Sequence, residues 1–595
     1  MGGLWVPGRP SMARSAWSLL GRPYCTGTEI FGAVTDRASR ELLWGQVPVG
    51  QALLLLSCML RDLDLEDAPE AEIEARWAAR LPGEAASRAR VAIARGRRLL
   101  PTQLLLVALK EALVVCPPGP AHDDPSNVDV VLQAVFSIAD ELGNVREDGE
   151  PRWGGLMATL AAELLANQYF NVTSRPAPLI ARSQVTWREG WSSAVGEKER
   201  VRAGGQPAEL FAEATGCALD AFLGVATHLW VQAYMHKYLC FPPEFFGRLG
   251  IDPAAINLFL DATSVSLADL QQQVAQQPPA TEQPWEFNAL RRRPIVRLPD
   301  GSVQVIRVGF VLERAFGQVP EFDVADHLRN IDGGADQRVK GGREEAFRSC
   351  LNSQFEYSIG EILRRIFPAS GHFKRVYSEN DMWHAWTKAK GRKPSVCDWV
   401  VDCGDVWICL DANNRRLSQP VVGGQADMPE LDKELSAVLA DNKARQMAST
   451  IRHLTEFLPQ LTGRNLVPGT RFVPLIVTPD DGLPWNPAVH RRVQEVLAAS
   501  GTLQTSRATA LGVISLHDLG LVEYAADNGR DAGNLLATWR SRQPEVALQH
   551  FMYGQGEELH RPQWVTDTFS QVVDELVEEQ TSYLENLPGS PPAVS

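Results

Sequence analysis

The run Lys393-Pro-Ser-Val-Cys-Asp-Trp-Val-Val-Asp-Cys-Gly-Asp-Val-Trp-Ile-Cys-Leu-Asp-Ala-Asn-Asn-Arg-Arg416 constrains this chain more than any other stretch. Residues 395–401 and 406–412 are rich in Val, Trp, Ile and Cys, which suit a packed, pleated surface, and Asp402-Cys-Gly-Asp405 between them has turn chemistry. The unit reads as strand, tight turn, strand. With Cys403 and Gly404 as a two-residue turn, Asp398 falls across from Cys409, and alternation puts Cys409, Asp411 and Asn413 on the face that Asp398 uses. Asp398 and Asp411 then sit diagonally, about 7–8 Å apart at the backbone, close enough to share a divalent ion. A three-residue turn would reverse the parity and separate them.

Asp398, a spacer of twelve residues and then Asp411-Ala412-Asn413 resembles the PD-(D/E)XK nuclease superfamily, the restriction-endonuclease-like fold. In that family an Asp, followed by an acid-x-Lys on the next strand, binds magnesium for phosphodiester cleavage. The chain looks like a divergent member of bacterial type, with Asp-x-Asn where the family has acid-x-Lys. Many members carry an acid on the first core helix, and the resemblance carries that role to Glu356, within the amphipathic stretch 343–367. The element order extends the likeness: a strand at 372–378, the hairpin, a long helix from Leu431 to about Leu461, a strand at 471–478, a helix at 487–500 and a strand at 510–515. The resemblance spans residues 286–526. It implies an α/β nuclease-like core, a mixed central sheet flanked by helices, preceded by a large, mainly α-helical N-terminal region.

Asp398 and Asp411 can supply what magnesium needs, since this ion keeps several waters and takes one or two carboxylates plus a substrate phosphate oxygen. Mg2+ or Mn2+ is therefore the expected cofactor of an active site built from Asp398, Asp411, Asn413 and Glu356. Asn413 can orient a water but brings no charge, so the ammonium of the motif must come from elsewhere. Arg415, by alternation on the face of Asp411, is one candidate; Lys374 and Lys393 are others. If no cation takes that place, the alternative is a catalytically inactive nuclease-fold module serving as a nucleic-acid-binding or protein-interaction scaffold.

Charge sets the partner. The 595-residue chain carries a net charge of -14, which argues against non-specific coating of nucleic acid. Yet 364–416 holds ten Lys or Arg against six acids. Lys374, Arg375, Lys390, Arg392, Lys393, Arg415 and Arg416 are the candidate nucleic-acid contacts, with Trp383, His384 and Trp386 interleaved for stacking. Nucleic acid, DNA ahead of RNA, is the expected partner, and a protein partner could use the N-terminal helices or the C-terminal helix. Defence against foreign nucleic acid is an expectation from family likeness alone.

The remaining chain divides by pattern. Residues 1–270 are mainly helical, with apolar residues at helical spacing in 41–60, 103–116, 128–142, 154–169 and 207–235. Residues 271–285 are a Gln- and Pro-rich linker, 286–343 a basic β-hairpin around Pro299-Asp-Gly-Ser302 and its connector, 344–526 the nuclease-like domain, and 527–595 a helical extension and tail. The nine cysteines show no Cys-x2-Cys zinc spacing and read as small buried hydrophobes. No apolar run approaches the ~20 residues of a membrane span, and no secretory signal is evident, so a cytoplasmic protein is expected. Phosphate-loop, zincin and nucleophile-elbow motifs do not occur.

Overall fold

The computed structural model of the protein describes residues 25–585 except 34, 67, 121–126, 145–175, 189–190, 192, 279–285, 334–340, 370–374, 392, 423–425, 427, 481, 484, 504 and 558. It is a mainly helical molecule with two small mixed sheets. The N-terminal region is helical as its periodicity predicts. Val49–Leu65 is apolar almost all round and almost wholly buried, packed on Thr102–Val115. The stretch 37–65 is two helices with a break before Pro48, and 207–235 is two helices broken at Gly216, whose left-handed backbone (φ 72°) ends the first. The helix expected over 154–169 lies outside the described residues. Among the described residues no single helix is long and apolar enough to cross a membrane.

The hairpin at 295–305 forms, with Gly301 at positive φ in its turn, but it does not stand alone before the core. β1 (Cys240–Phe241) and β2 (Ser264–Ser266) from the helical region join β3 (Ile295–Arg297) and β4 (Val303–Val305) in a four-stranded sheet ordered β1-β4-β3-β2. Residues 271–275, expected to begin a linker, end the helix Leu267–Ala275, whose Leu270 and Val274 are buried. The C-terminal helix Gln563–Glu585 lays Phe569 against Trp230, ring centroids 5.5 Å apart, and packs on Pro176–Ser183. Among its described side chains, Val565 and Val572 are buried within the chain.

The second sheet has the order β5-β6-β7-β8-β9, from β5 (Val376–Ser378), β6 (Trp399–Asp402), β7 (Val406–Ala412), β8 (Arg471–Thr478) and β9 (Gly512–Ser515). β5, β6 and β7 pair antiparallel; β7, β8 and β9 pair parallel. The parallel pairs need crossovers, and helices supply them: Met428–Leu435 to Arg445–Thr462 between β7 and β8, Pro487–Ser500 between β8 and β9. β7 and β8 are continuous apolar runs because helices cover both faces. Pro474, with no N–H to give, sits in β8 where the pairing to the β9 side shifts by one residue, from Phe472↔Ala508 to Leu475↔Gly512.

The hairpin turn is centred one residue later than its sequence suggests. Asp402 pairs with Trp407, Cys403 N–H donates to the Val406 carbonyl (2.9 Å), and Gly404 and Asp405 form the loop. Gly404 takes φ 87°, open only to a residue without a Cβ at little cost, and its N–H donates to Asp402 Oδ1 at 2.9 Å. This moves the register by two residues and keeps its parity.

Candidate functional site

Register decides which side chains meet. Trp399 pairs with Leu410, so one further step along the ladder sets Asp398 directly opposite Asp411, not diagonal to it, and Asp398 Oδ2 accepts from Ala412 N–H at 2.7 Å. On the other side Ser378 pairs with Trp399; one step on, Glu379 N–H donates to the Asp398 carbonyl at 2.7 Å. Glu379, just past β5, and Asp398, just before β6, thus continue the pairing that leads to Asp411 on β7. Like charges directly opposite each other destabilise a sheet, so they must be compensated.

The main compensation is Lys443, which the sequence reading missed. Its Nζ is in ion-pair contact with Asp411 Oδ1 and lies 3.8 Å from Asp398 Oδ2. It comes from Ser436–Ala444, a π-helical segment inside the crossover after β7, a conformation that recurs at functional sites. A signal did exist: Leu431, Leu435, Leu439, Met447 and Ile451 are buried at four-residue spacing, and Lys443 occupies the position in that stripe where an apolar residue belongs.

Glu356 arrives from the helix Arg343–Ile366. A Cβ at Gly360 would fall inside the Trp399 indole, so only glycine lets this helix settle onto β6. Glu356, one turn earlier on the same helix face, lies close enough to Asp398 and Glu379 for the charges to repel. Trp399 and Leu410 face away from Asp411 by alternation. Glu356 and Lys443 therefore converge on the strand ends from opposite sides of the sheet.

The electrostatics follow from burial and crowding. Asp411 is 0% exposed, with the Lys443 ammonium against its Oδ1. Burial, then the Asp398 charge, hold its carboxyl well above the usual range despite Lys443. Glu356 is pushed up to about 7 by burial and then by Asp398 and Glu379. Glu379 is likewise pushed up to about 7 by burial and Asp398, with Lys393 and Lys443 opposing. Burial lowers the Lys443 ammonium, but the carboxylates of Asp411 and Asp398 outweigh it and the net shift is upward.

The other expected residues divide. Asn413 is buried, its N–H donates to the Val477 carbonyl (2.9 Å), and its Oδ1 accepts from Arg415 N–H (3.1 Å), an Asx turn that closes the end of β7. Arg415 lies beyond the end of β7 at Ala412, where alternation lapses, and its guanidinium reaches Glu434 at 3.6 Å. Arg416 pairs with Glu321 at 2.9 Å. Arg375 lies at the far end of β6, where its Nε donates to the Asp402 carbonyl, because β5 runs antiparallel. Trp386 is a core residue, fully buried, stacked on His453 and bonded through its indole N–H to the Phe457 carbonyl. Trp383 and Lys393 remain near the site: the exposed Lys393 ammonium lies over the Trp383 ring, and its charge is felt at Glu379. Lys374 and Arg392 lie outside the described residues, as does the side chain of Lys390.

These donors fit a hard divalent cation. All are carboxylate oxygens, and the fully buried Asp411 abuts a second carboxylate, Asp398, with the Lys443 ammonium beside both. Among the described residues no set of three or more His, Cys, Asp or Glu side chains forms a ready-made metal cage. Two carboxylates completed by water and phosphate oxygens is the arrangement magnesium ordinarily uses. No family model, curated protein or solved structure matches this chain.

Proposed function

We propose that this chain is a divalent-cation-dependent nuclease of the restriction-endonuclease-like type, acting on nucleic acid, DNA ahead of RNA, with Lys443 supplying the ammonium that Asn413 cannot. The observation that carries this reading is the ion pairing of Lys443 with both Asp398 and Asp411 from a different element. Asp398 and Asp411 would hold Mg2+ or Mn2+, which when bound lowers the pKa of a water and offsets negative charge on the phosphate. The partly buried Lys443 ammonium, kept protonated by the carboxylates around it, would orient an attacking water and add fixed positive charge beside the scissile phosphate. Lys393 on Trp383 contacts the backbone beside it. All nine cysteines are free, which suits a reducing compartment such as the cytoplasm. The test is cleavage of supercoiled and linear DNA and of RNA, with Mg2+, with Mn2+ and with EDTA, by the wild type, Asp398→Ala and Lys443→Ala. Metal-dependent cutting lost in both variants supports the reading; cutting that survives EDTA and both substitutions removes it.

A second reading is the inactive nuclease-fold scaffold. It is favoured by the direct Lys443–Asp411 contact, which occupies the space beside the carboxylate that a cation would take, and by the engagement of Asn413 Oδ1 in a turn. A wild type that binds nucleic acid at low salt without cutting it under any divalent cation would select this reading.

A further inference from the structure

The basic hairpin opens on Arg291-Arg292-Arg293, a triplet to which the candidate site gives no part. Arginine in this neighbourhood is closely matched. Every other described arginine from 291 to 348 stands in an ion pair with a carboxylate. Arg292 and Arg293 are exposed, and among the described residues no acid pairs with either. An exposed arginine is ordinary by itself; the position of these two is not. Arg291, beside them, bonds Glu313 at 2.6 Å on the helix Val308–Phe316. The next residue on that helix, the buried Arg314, reaches Asp323 at 2.7 Å on the helix Val319–Asp332. Glu321, two residues earlier, holds Arg416 at 2.9 Å, just past the Asx turn that closes β7 beyond Asp411. Three ion pairs in succession thus tie the triplet to the Arg416 end of the candidate site, from which it is remote in sequence. Burial, with repulsion from Arg292 and Arg293, holds the Arg314 guanidinium below its ordinary value, in keeping with two free charges beside the middle of this relay.

We infer that Arg292 and Arg293 bind the sugar–phosphate backbone of nucleic acid on the Arg416 flank of the candidate site. The inference rests on the nucleic-acid reading proposed above and adds a second contact surface to it, one that serves the active and the inactive form alike. A chain with a net charge of -14 repels a polyanion overall, so its phosphate contacts must be local and positive. The relay meets that need, because Glu313, Asp323 and Glu321 each already face an arginine and leave Arg292 and Arg293 as surplus charge. Guanidinium is the side chain best suited to phosphate oxygens, and contact with the backbone carries no base preference.

The test is the fluorescence anisotropy of a labelled DNA duplex, and of a labelled RNA, titrated with the full chain in EDTA over a series of KCl concentrations. Wild type binds at low salt. The double variant Arg292→Ala with Arg293→Ala binds about tenfold or more weakly, whatever the base sequence, and its slope of log affinity against log salt falls by about two. Arg292→Lys with Arg293→Lys keeps both charges and restores the slope, which a merely structural role would not require. Arg297→Ala, which removes an exposed arginine of the same hairpin already paired with Asp261, binds like wild type. An unchanged slope in the double alanine variant, or an equal loss in Arg297→Ala, overturns the role of Arg292 and Arg293 and leaves the candidate site as it was. A wild type that binds neither DNA nor RNA at low salt overturns both this inference and the nucleic-acid reading on which it rests.

Discussion

The two ends of the β6–β7 hairpin hold buried acids in opposite circumstances. At the turn end, Asp402 is 6% exposed and fully provided for: Gly404 N–H donates to Oδ1 and Arg464 pairs with Oδ2. At the open end, Asp398 and Asp411 are as deeply buried, with Glu379 beside them and Glu356 approaching, and Lys443 is the ammonium in ion-pair contact with the Asp398–Asp411 pair. An acid that serves the fold is matched locally, by its own turn and a neighbouring arginine. Acids that crowd together with too few donors weaken the fold, and such crowding is a mark of a functional site.

Exchanging the roles of the two ends tests this contrast most severely. Asp411→Asn is expected to lower cleavage by at least about 10²–10³, while the variant without added cation melts no lower than wild type. Asp402→Ala should do the reverse, costing about 1–2 kcal/mol of stability through the lost turn hydrogen bond and half-exposed ion pair, with kcat retained. Parallel cleavage and melting measurements on the two variants decide it. Equal loss of activity in both would mean the ends are not distinct.

Lys443 should follow Asp411, and Arg415 should not. Lys443→Met is expected to reduce cleavage by about 10²–10³, whereas Arg415→Ala, whose guanidinium reaches Glu434 at 3.6 Å, changes it by less than about threefold. The ratio of the two single-turnover rates is the measurement. A larger loss in Arg415→Ala would return the cation role to the strand end.

Proton linkage gives a smaller effect with a definite sign. Glu356 and Glu379 have an ordinary value of 4.5 and stand at about 7 in the folded chain. The folded state therefore holds their protons more tightly, and stability falls as pH rises from about 4.5 to about 7, then levels off. Glu356→Gln should remove its share of that fall, on the order of 1 kcal/mol once partial exposure is allowed for. Denaturant titrations of wild type and variant at pH 5 and pH 8 read it directly. A difference between them that does not change with pH would show that Glu356 is not under strain.

The smallest expected effect is at the rim. Lys393→Ala should weaken nucleic-acid binding modestly and lower the slope of log affinity against log salt by about one, with no change in the metal dependence of cleavage.

Much of the sheet was legible because its signals are local. The turn chemistry of 402–405, the alternation of 406–412 and the apolar run 471–478 each act within a few residues, and β7 and β8 fall at their expected bounds. The parity that puts Asp398 and Asp411 on one face was legible too, since either placement of a two-residue turn preserves it. The exact rung was not, because only the demand for a glycine at φ 87° settles which two residues form the loop.

What the amino-acid sequence determined by itself was a hairpin with two acids on one face, a long helix after it, and the absence of a charged residue at 413. What the tertiary structure decided was which groups meet them. Glu379 reaches Asp398 through the β5–β6 register, Glu356 through the close approach that Gly360 allows, and Lys443 through the packing of a crossover helix whose π-helical segment carries it to Asp411. Turns and alternation are set by backbone sterics between near neighbours. The meeting of distant carboxylates and an ammonium is set by the packing of whole elements, which no short stretch of sequence contains.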